Sequence, residues 1–244
     1  QKKEAIERVV LPNEEIFSGF VFKIHANIDP NHRDRIAFVK IVSGKFLRNK
    51  PYLHVRLNKF FKFSRPNTFF AEKKKIVDVS LPGDIVGLHD TGNFKIGDSL
   101  TSGEKLNFKG ILNFSPENFK YINNEDPLKS KQLNKGISQL MDEGVAQLFV
   151  LNINNRKIIG TVGALQFEVI KYRLENEYGA KCSYENLKIY KAFWIDEKNS
   201  DKDELVEFKK LKNKFLAKDK ENKSVYLADS DFSIQIIKEK FPKI

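Results

Sequence analysis

The chain has 244 residues, 41% of them hydrophobic and 12% aromatic, enough to fill the core of one large domain or two ordinary ones. Its single cysteine, Cys182, excludes an internal disulfide framework and a cysteine-based zinc cluster, which suits a reducing cytoplasmic compartment, and no apolar run approaches the roughly 20 residues that cross a bilayer. The net charge of +11 falls entirely between Asn31 and Lys75, where 13 Lys and Arg stand against Asp34 and Glu72 alone; a basic field so confined favours a polyanionic partner over a uniformly lysine-rich composition.

The opening "QKKEAIERVV" has neither an apolar signal core nor an initiator methionine, so secretion is not expected and residues 1–16 are expected to be a linker within a longer gene product. From Phe17 to about Phe114 the text reads as short strands: "FVFKIHANI", "RIAFVKIVSG", "YLHVRL", "KIVDVSL", "DIVGLHD", "FKIGDSL" and "LNFKGILNF". Strands every 8–12 residues or so, without a helical period between them, predict an all-β barrel or sandwich over residues 17–106. Pro82-Gly83 suits the centre of a type II turn, and Gly97-Asp98 marks another reversal. In "RIAFVKIVSG", Ile36, Phe38 and, after a phase change, Ile41 are expected to share the inner face, leaving Arg35 and Lys40 outside.

After Phe114 the period changes. Asp126 can cap a helix with Pro127 at its first position, and Leu133, Ile137, Leu140 and Met141 give that helix an apolar face up to Glu143. Two strands follow around an Asn-Asn turn in "VAQLFVLNINNRKIIGTVG", then a helix with Ile170, Leu174 and Tyr178 at spacings of four that closes on Gly179, then the strand "AKCSYENL". With "LNFKGILNF" supplying or overlapping the first strand, the plan is the split βαβ of an α+β ferredoxin-like domain over 107–244. Its C-terminal extension is expected to hold one helix and two short extended pieces.

Several motifs hint at chemistry without completing it. His32-Arg33-Asp34 resembles a kinase catalytic triplet, but Val39 stands where the asparagine for magnesium belongs. Asp90-Thr91-Gly92 matches the aspartic protease tripeptide, which needs two such carboxylates; a single copy reads better as a turn, and Asp90 is the carboxylate a hydrolase built on this barrel would use. Asp84-Ile85-Val86-Gly87 fits a loose D-x-x-G, yet no G-x-x-x-x-G-K-[ST] loop accompanies it, so no GTP or magnesium site is expected within these residues. His25, His32, His54 and His89 lack metal-ligand spacing, and Ser43 lacks a nucleophile elbow.

Binding is what survives. Arg33, Arg35, Lys40, Lys45, Arg48, Lys50 and Arg56 are candidates for RNA phosphates, interleaved with Phe38, Phe46, Tyr52 and the segment Phe60–Phe63, aromatics that fill a core or stack on bases. Lys129, Lys131 and Lys135 on the first predicted helix form a secondary candidate surface.

"FSGFVFKIHANIDPNHRDRIAFVKIVSGKF", "PGDIVGLHDTGNFKIGDSL" and "DPLKSKQLNKGISQLMDEGVAQLF" resemble the bacterial class II peptide chain release factors, translational GTPases of termination, from about Pro12 to Tyr184. The resemblance implies a translational GTPase domain II-like barrel followed by an α/β domain. It also implies an amino-terminal domain, beyond these residues, that handles GTP and magnesium. It implies a factor that binds the ribosome through small-subunit 16S rRNA and a ribosomal protein, and that promotes departure of class I release factors after peptide release. A monomer without membrane association is expected. On this reading His32-Arg33-Asp34-Arg35 is a polar loop aimed at phosphates, and alanine at Arg33 and Arg35 weakens ribosome binding with little loss of stability. The corresponding domains of an elongation factor G-like or ribosomal protection protein are the alternative.

Overall fold

Two units, Gln1–Leu112 and Asn113–Ile244, make up the chain, and the computed structural model describes residues 7–26, 35–70, 73–109 and 114–244. The first unit is built from strands β1 (Ser18–Ala26), β2 (Arg35–Ser43), β3 (Phe46–Leu47), β4 (Pro51–His54), β5 (Lys59–Lys62), β6 (Asn67–Phe70), β7 (Lys73–Ile76), β8 (Val79–Ser80), β9 (Ile85–Asp90) and β10 (Ser99–Thr101). Eight of them form one sheet in the order β5-β4-β10-β1-β2-β9-β6-β7, while β3 and β8 pair separately. Arg48 N–H, just after β3, donates to Asp78 O at 2.9 Å, and Asn49 N–H donates to Phe63 O at 3.0 Å. The β3–β8 pair thus ties the segment after β5 to the segment after β7 and closes the barrel, satisfying edge groups that would otherwise face water.

Alternation decides which side chains fill it. Val21, Ala37, Val39, Ile41, Val86, Leu88 and Leu100 line the interior with Phe17, Phe46, Tyr52, Phe63 and Phe94. The Phe46 and Tyr52 rings stack with centroids 5.0 Å apart. At the turn Leu81–Asp84 the Asp84 N–H donates to Leu81 O at 3.0 Å and Gly83 takes φ +99°, as a type II turn requires.

Several expectations are corrected here. The inner face of β2 is Ala37, Val39 and Ile41 without a phase change, so the same period of two carries Arg35 inward as well. Strands β3, β5 and β6, of two to four residues, fall outside the segments expected to be strands. The described part of "LNFKGILNF" holds no strand: residues 106–109 are irregular, 110–113 lie outside the described residues, and the first described strand of the second unit begins four residues after Phe114.

That strand is β11 (Asn118–Asn124). After a 3₁₀ turn, Pro127–Lys129, come α1 (Ser130–Asp142), β12 (Gln147–Leu151), β13 (Lys157–Thr161), α2 (Gln166–Tyr178), β14 (Cys182–Asn186), β15 (Lys191–Trp194), α3 (Lys202–Leu211), β16 (Leu216–Asp219), β17 (Ser224–Ala228) and α4 (Asp231–Lys240). The caps act where the sequence places them: Asp126 accepts from Leu128 N–H at 3.0 Å, and Gly179 ends α2 in the left-handed region at φ 61°. The strands lie in the order β14-β11-β13-β12-β16-β17-β15, whose first four give the antiparallel sheet of a ferredoxin-like domain. The C-terminal extension adds three strands and two helices, more than the helix and two extended pieces expected.

The helices cover one face of this sheet, α1 and α2 over Ile122 and Ile159, α3 and α4 over Leu216 and Tyr226. The other face carries Phe119, Phe149, Leu151, Ile158, Ala217 and Leu227. Residues 187–190 alone join the two edge strands, β14 and β15. Five steps of chain reach at most about 17 Å, whereas six strand spacings laid flat measure about 29 Å. The sheet therefore curls round its second face, and Leu187 and Ile189 of the link pack against that cluster.

Candidate nucleic-acid interface

The strand that opens with Arg35 lies against β9 with Arg35 opposite Asp90, so register alone brings the two charges together. Arg35 Nε lies 3.1 Å from Asp90 Oδ2, with the side chains only 9% and 1% exposed, and its Nη2 donates to Phe94 O at 2.7 Å. Asp90 Oδ1 also accepts the backbone N–H groups of Gly92 at 3.0 Å and Asn93 at 2.7 Å. Asp90-Thr91-Gly92 is thus a turn whose carboxylate is held by backbone donors and a buried guanidinium. Arg35 leaves the set of phosphate ligands for the same reason. His32, Arg33 and Asp34 lie outside the described residues.

Arg56 is also engaged inside its own unit. Its Nε and Nη2 grip the two oxygens of Asp98 at 2.6 and 2.8 Å, and Nη2 reaches Asn93 O at 2.6 Å. His54 Nδ1 accepts from Leu57 N–H at 3.3 Å, which leaves the ring proton on Nε2, 3.0 Å from Asp98 Oδ2. Burial by itself would raise the Asp98 pKa; hydrogen bonds from Arg56, His54 and the Lys95 N–H overcome it and hold the carboxyl at about 2. Since that value lies below the ordinary aspartate range, the group's contribution to stability is complete above about pH 4 and is lost as pH falls towards 2. Melting temperatures followed from pH 5 to pH 2 are expected to fall more steeply for the wild type than for Asp98→Asn.

Lys40 is half-buried on the outer face, its ammonium on Gly83 O. Arg48 donates from Nε to Ser64 O at 2.7 Å and reaches Asp78 Oδ1 at 3.2 Å in a solvent-exposed pair that contributes little to stability. Lys45 and Lys50 are exposed and form no ion pair among the described residues.

Backbone geometry then assembles a cluster that the candidate residues only partly name. Lys62 follows Phe61 on β5 and pairs in register with Pro51, beside Lys50; the Arg48–Ser64 bond sets Arg48 beside Arg65. Arg48, Lys50, Lys62 and Arg65 are all exposed and share this end of the barrel. Lys62 and Arg65 belong to the same basic segment, and their exposure is what sequence reasoning lacked. Of the interleaved aromatics, Phe46, Tyr52 and Phe63 are core, Phe38 and Phe61 are half-buried, and Phe60 is 56% exposed between Lys59 and Lys62. In the second unit Lys129, Lys131 and Lys135 are exposed along the start of α1 and form no ion pair among the described residues.

Exposed cations can neutralise phosphates, and the exposed Phe60 ring can stack on a base. Asp84, of the D-x-x-G segment, accepts the Leu81 N–H at 2.8 Å and so braces its own turn. Among the described residues no three His, Cys, Asp or Glu side chains converge as metal ligands.

Two family models match the chain in succession, elongation factor G domain 2 over residues 16–103 and the class II release factor RF3 C-terminal domain over residues 108–238. Among solved structures, a crystal structure of the Thermus thermophilus protein ttk003000868 superposes with a TM-score of 0.60 at 16% identity, a likeness of fold. The match covers 71% of this chain and 26% of that one, so this chain corresponds to about a quarter of its length.

Proposed function

Because the chain belongs to the class II release factor RF3 family through its C-terminal domain, and its two units are domains of a translational GTPase, we propose that they are the ribosome-docking part of a termination factor. In this reading the whole factor promotes departure of class I release factors after peptide release, and GTP and magnesium are handled elsewhere in it. The barrel meets small-subunit 16S rRNA through Arg48, Lys50, Lys62 and Arg65, with Lys45 beside them, and the second unit offers Lys129, Lys131 and Lys135 to RNA or a ribosomal protein. No step of chemistry belongs to these residues, and the chain acts as a monomer in the cytoplasm.

The observation that carries the reading is the succession of the two matched domains on one chain. The match over 108–238 favours termination over the elongation factor G-like and ribosomal protection alternatives. The test is exchange of a labelled class I release factor from ribosomes that have completed peptide release. The whole factor with GTP is expected to accelerate its loss, and the same factor carrying Lys50→Glu, Lys62→Glu and Arg65→Glu is expected not to. Equal acceleration by both rejects docking through this face.

A further inference from the structure

A pocket of about 240 Å³ opens in the second unit between β11, β13 and the start of α1, lined by Ile122, Asn124, Ser130, Asn134, Ile137 and Lys157. Its floor is apolar, and on its polar wall the acceptor oxygens are already engaged, which leaves donors to face the space. Lys157 gives one of its three N–H donors to Asn134 Oδ1, which leaves two on the ammonium and, with that oxygen taken, makes the Asn134 amide nitrogen a further donor at the pocket. The acceptors nearby are taken: Asn124 Oδ1 receives the Asp126 N–H at 3.1 Å, and Ser130 Oγ receives Asn124 Nδ2 at 2.8 Å while donating to Pro127 O.

No carboxylate among the described residues forms an ion pair with Lys157, and none lines the pocket. The half-buried ammonium therefore sits against a neutral amide, an arrangement that costs solvation without a counter-charge. Burial accordingly holds its pKa below the ordinary lysine range. An anion in the pocket supplies the missing charge, and at roughly 30 Å³ per water-sized group the space takes a tetrahedral oxyanion with part of its hydration. Lys131 and Lys135, on either side of Asn134 in α1, add to the positive field.

We propose that this pocket is a phosphate site, in which Lys157, Asn134 and the second N–H of Asn124 hold the oxygens of a phosphate or phosphodiester group. The inference rests on the pocket alone and stands or falls separately from ribosome docking through the barrel.

The test is titration of the isotope-labelled chain with inorganic phosphate at constant ionic strength, with chloride as the balancing anion, following the Asn124 and Asn134 side-chain amides by NMR. A saturable shift is expected in the wild type. Lys157→Met, which keeps an unbranched stem and removes the charge, is expected to weaken it about tenfold or more, while Lys157→Arg retains it. A short single-stranded RNA that displaces phosphate from the same resonances identifies a phosphodiester as the occupant, and phosphate binding that the RNA leaves untouched identifies the free anion; both support the site. No saturation by phosphate, or an unchanged response in Lys157→Met with the fold intact, overturns it.

Discussion

Asp90→Ala is expected to lower the stability of the barrel by about 3–5 kcal/mol, the usual cost of leaving one partner of a buried ion pair uncompensated. The substitution removes the carboxylate that faces the buried Arg35 guanidinium and the acceptor for the backbone donors of Gly92 and Asn93. Arg35→Ala acts from the other side of the pair and falls in the same range. Losses of this size are the opposite of what a surface ligand at Arg35 would give, and they follow from its burial against Asp90. Arg35→Met combined with Asp90→Leu fills the same space without charge and is expected to recover much of the loss. Amide hydrogen exchange along β2 and β9 reads the effect where it arises. A loss under about 1 kcal/mol for Asp90→Ala contradicts the pair's role and places the charges in water.

The second large effect is on binding. Lys50→Glu, Lys62→Glu and Arg65→Glu together are expected to weaken binding to small ribosomal subunits about a hundredfold at low salt. All three side chains are exposed, so stability is expected to stay within about 0.5 kcal/mol per site. Sedimentation of the chain with purified small subunits measures the first quantity and urea unfolding the second. Wild-type affinity in the triple variant removes this end of the barrel from the interface.

The fold was legible where one face of an element is buried and the other solvated. The helix faces of Leu133, Ile137, Leu140 and Ile170, Leu174, Tyr178 are periodic, and their caps are chemically distinctive. It was misread where burial is two-sided: in β2 both Ile36 and Ala37 are inaccessible, so apolar residues run in both phases and the inner one cannot be picked out without its neighbours β1 and β9. "ENFKYINN" hid its strand in another way. Phe119 and Ile122 are three residues apart and reach opposite faces of the sheet, a spacing that shows no strand alternation.

The site was legible as a region rather than as residues. Charge density marks residues 31–75, but whether a guanidinium faces solvent depends on carboxylates far along the chain, Asp90 for Arg35 and Asp98 for Arg56. Such pairings follow from strand order, which composition does not encode. Conversely, the exposure of Lys62 and Arg65 follows from β5 pairing with β4 at the sheet edge, a placement that charge density does not encode. The pocket around Lys157 had no signal in sequence, since its donors come from β11, α1 and β13.

Docking of the barrel by phosphate neutralisation is tested by the association constant of the chain with small ribosomal subunits measured against salt concentration. A logarithmic plot that falls linearly with a slope of about −3, as four cations on phosphates imply, is the expected result. A slope near zero, or no association at low salt, contradicts it.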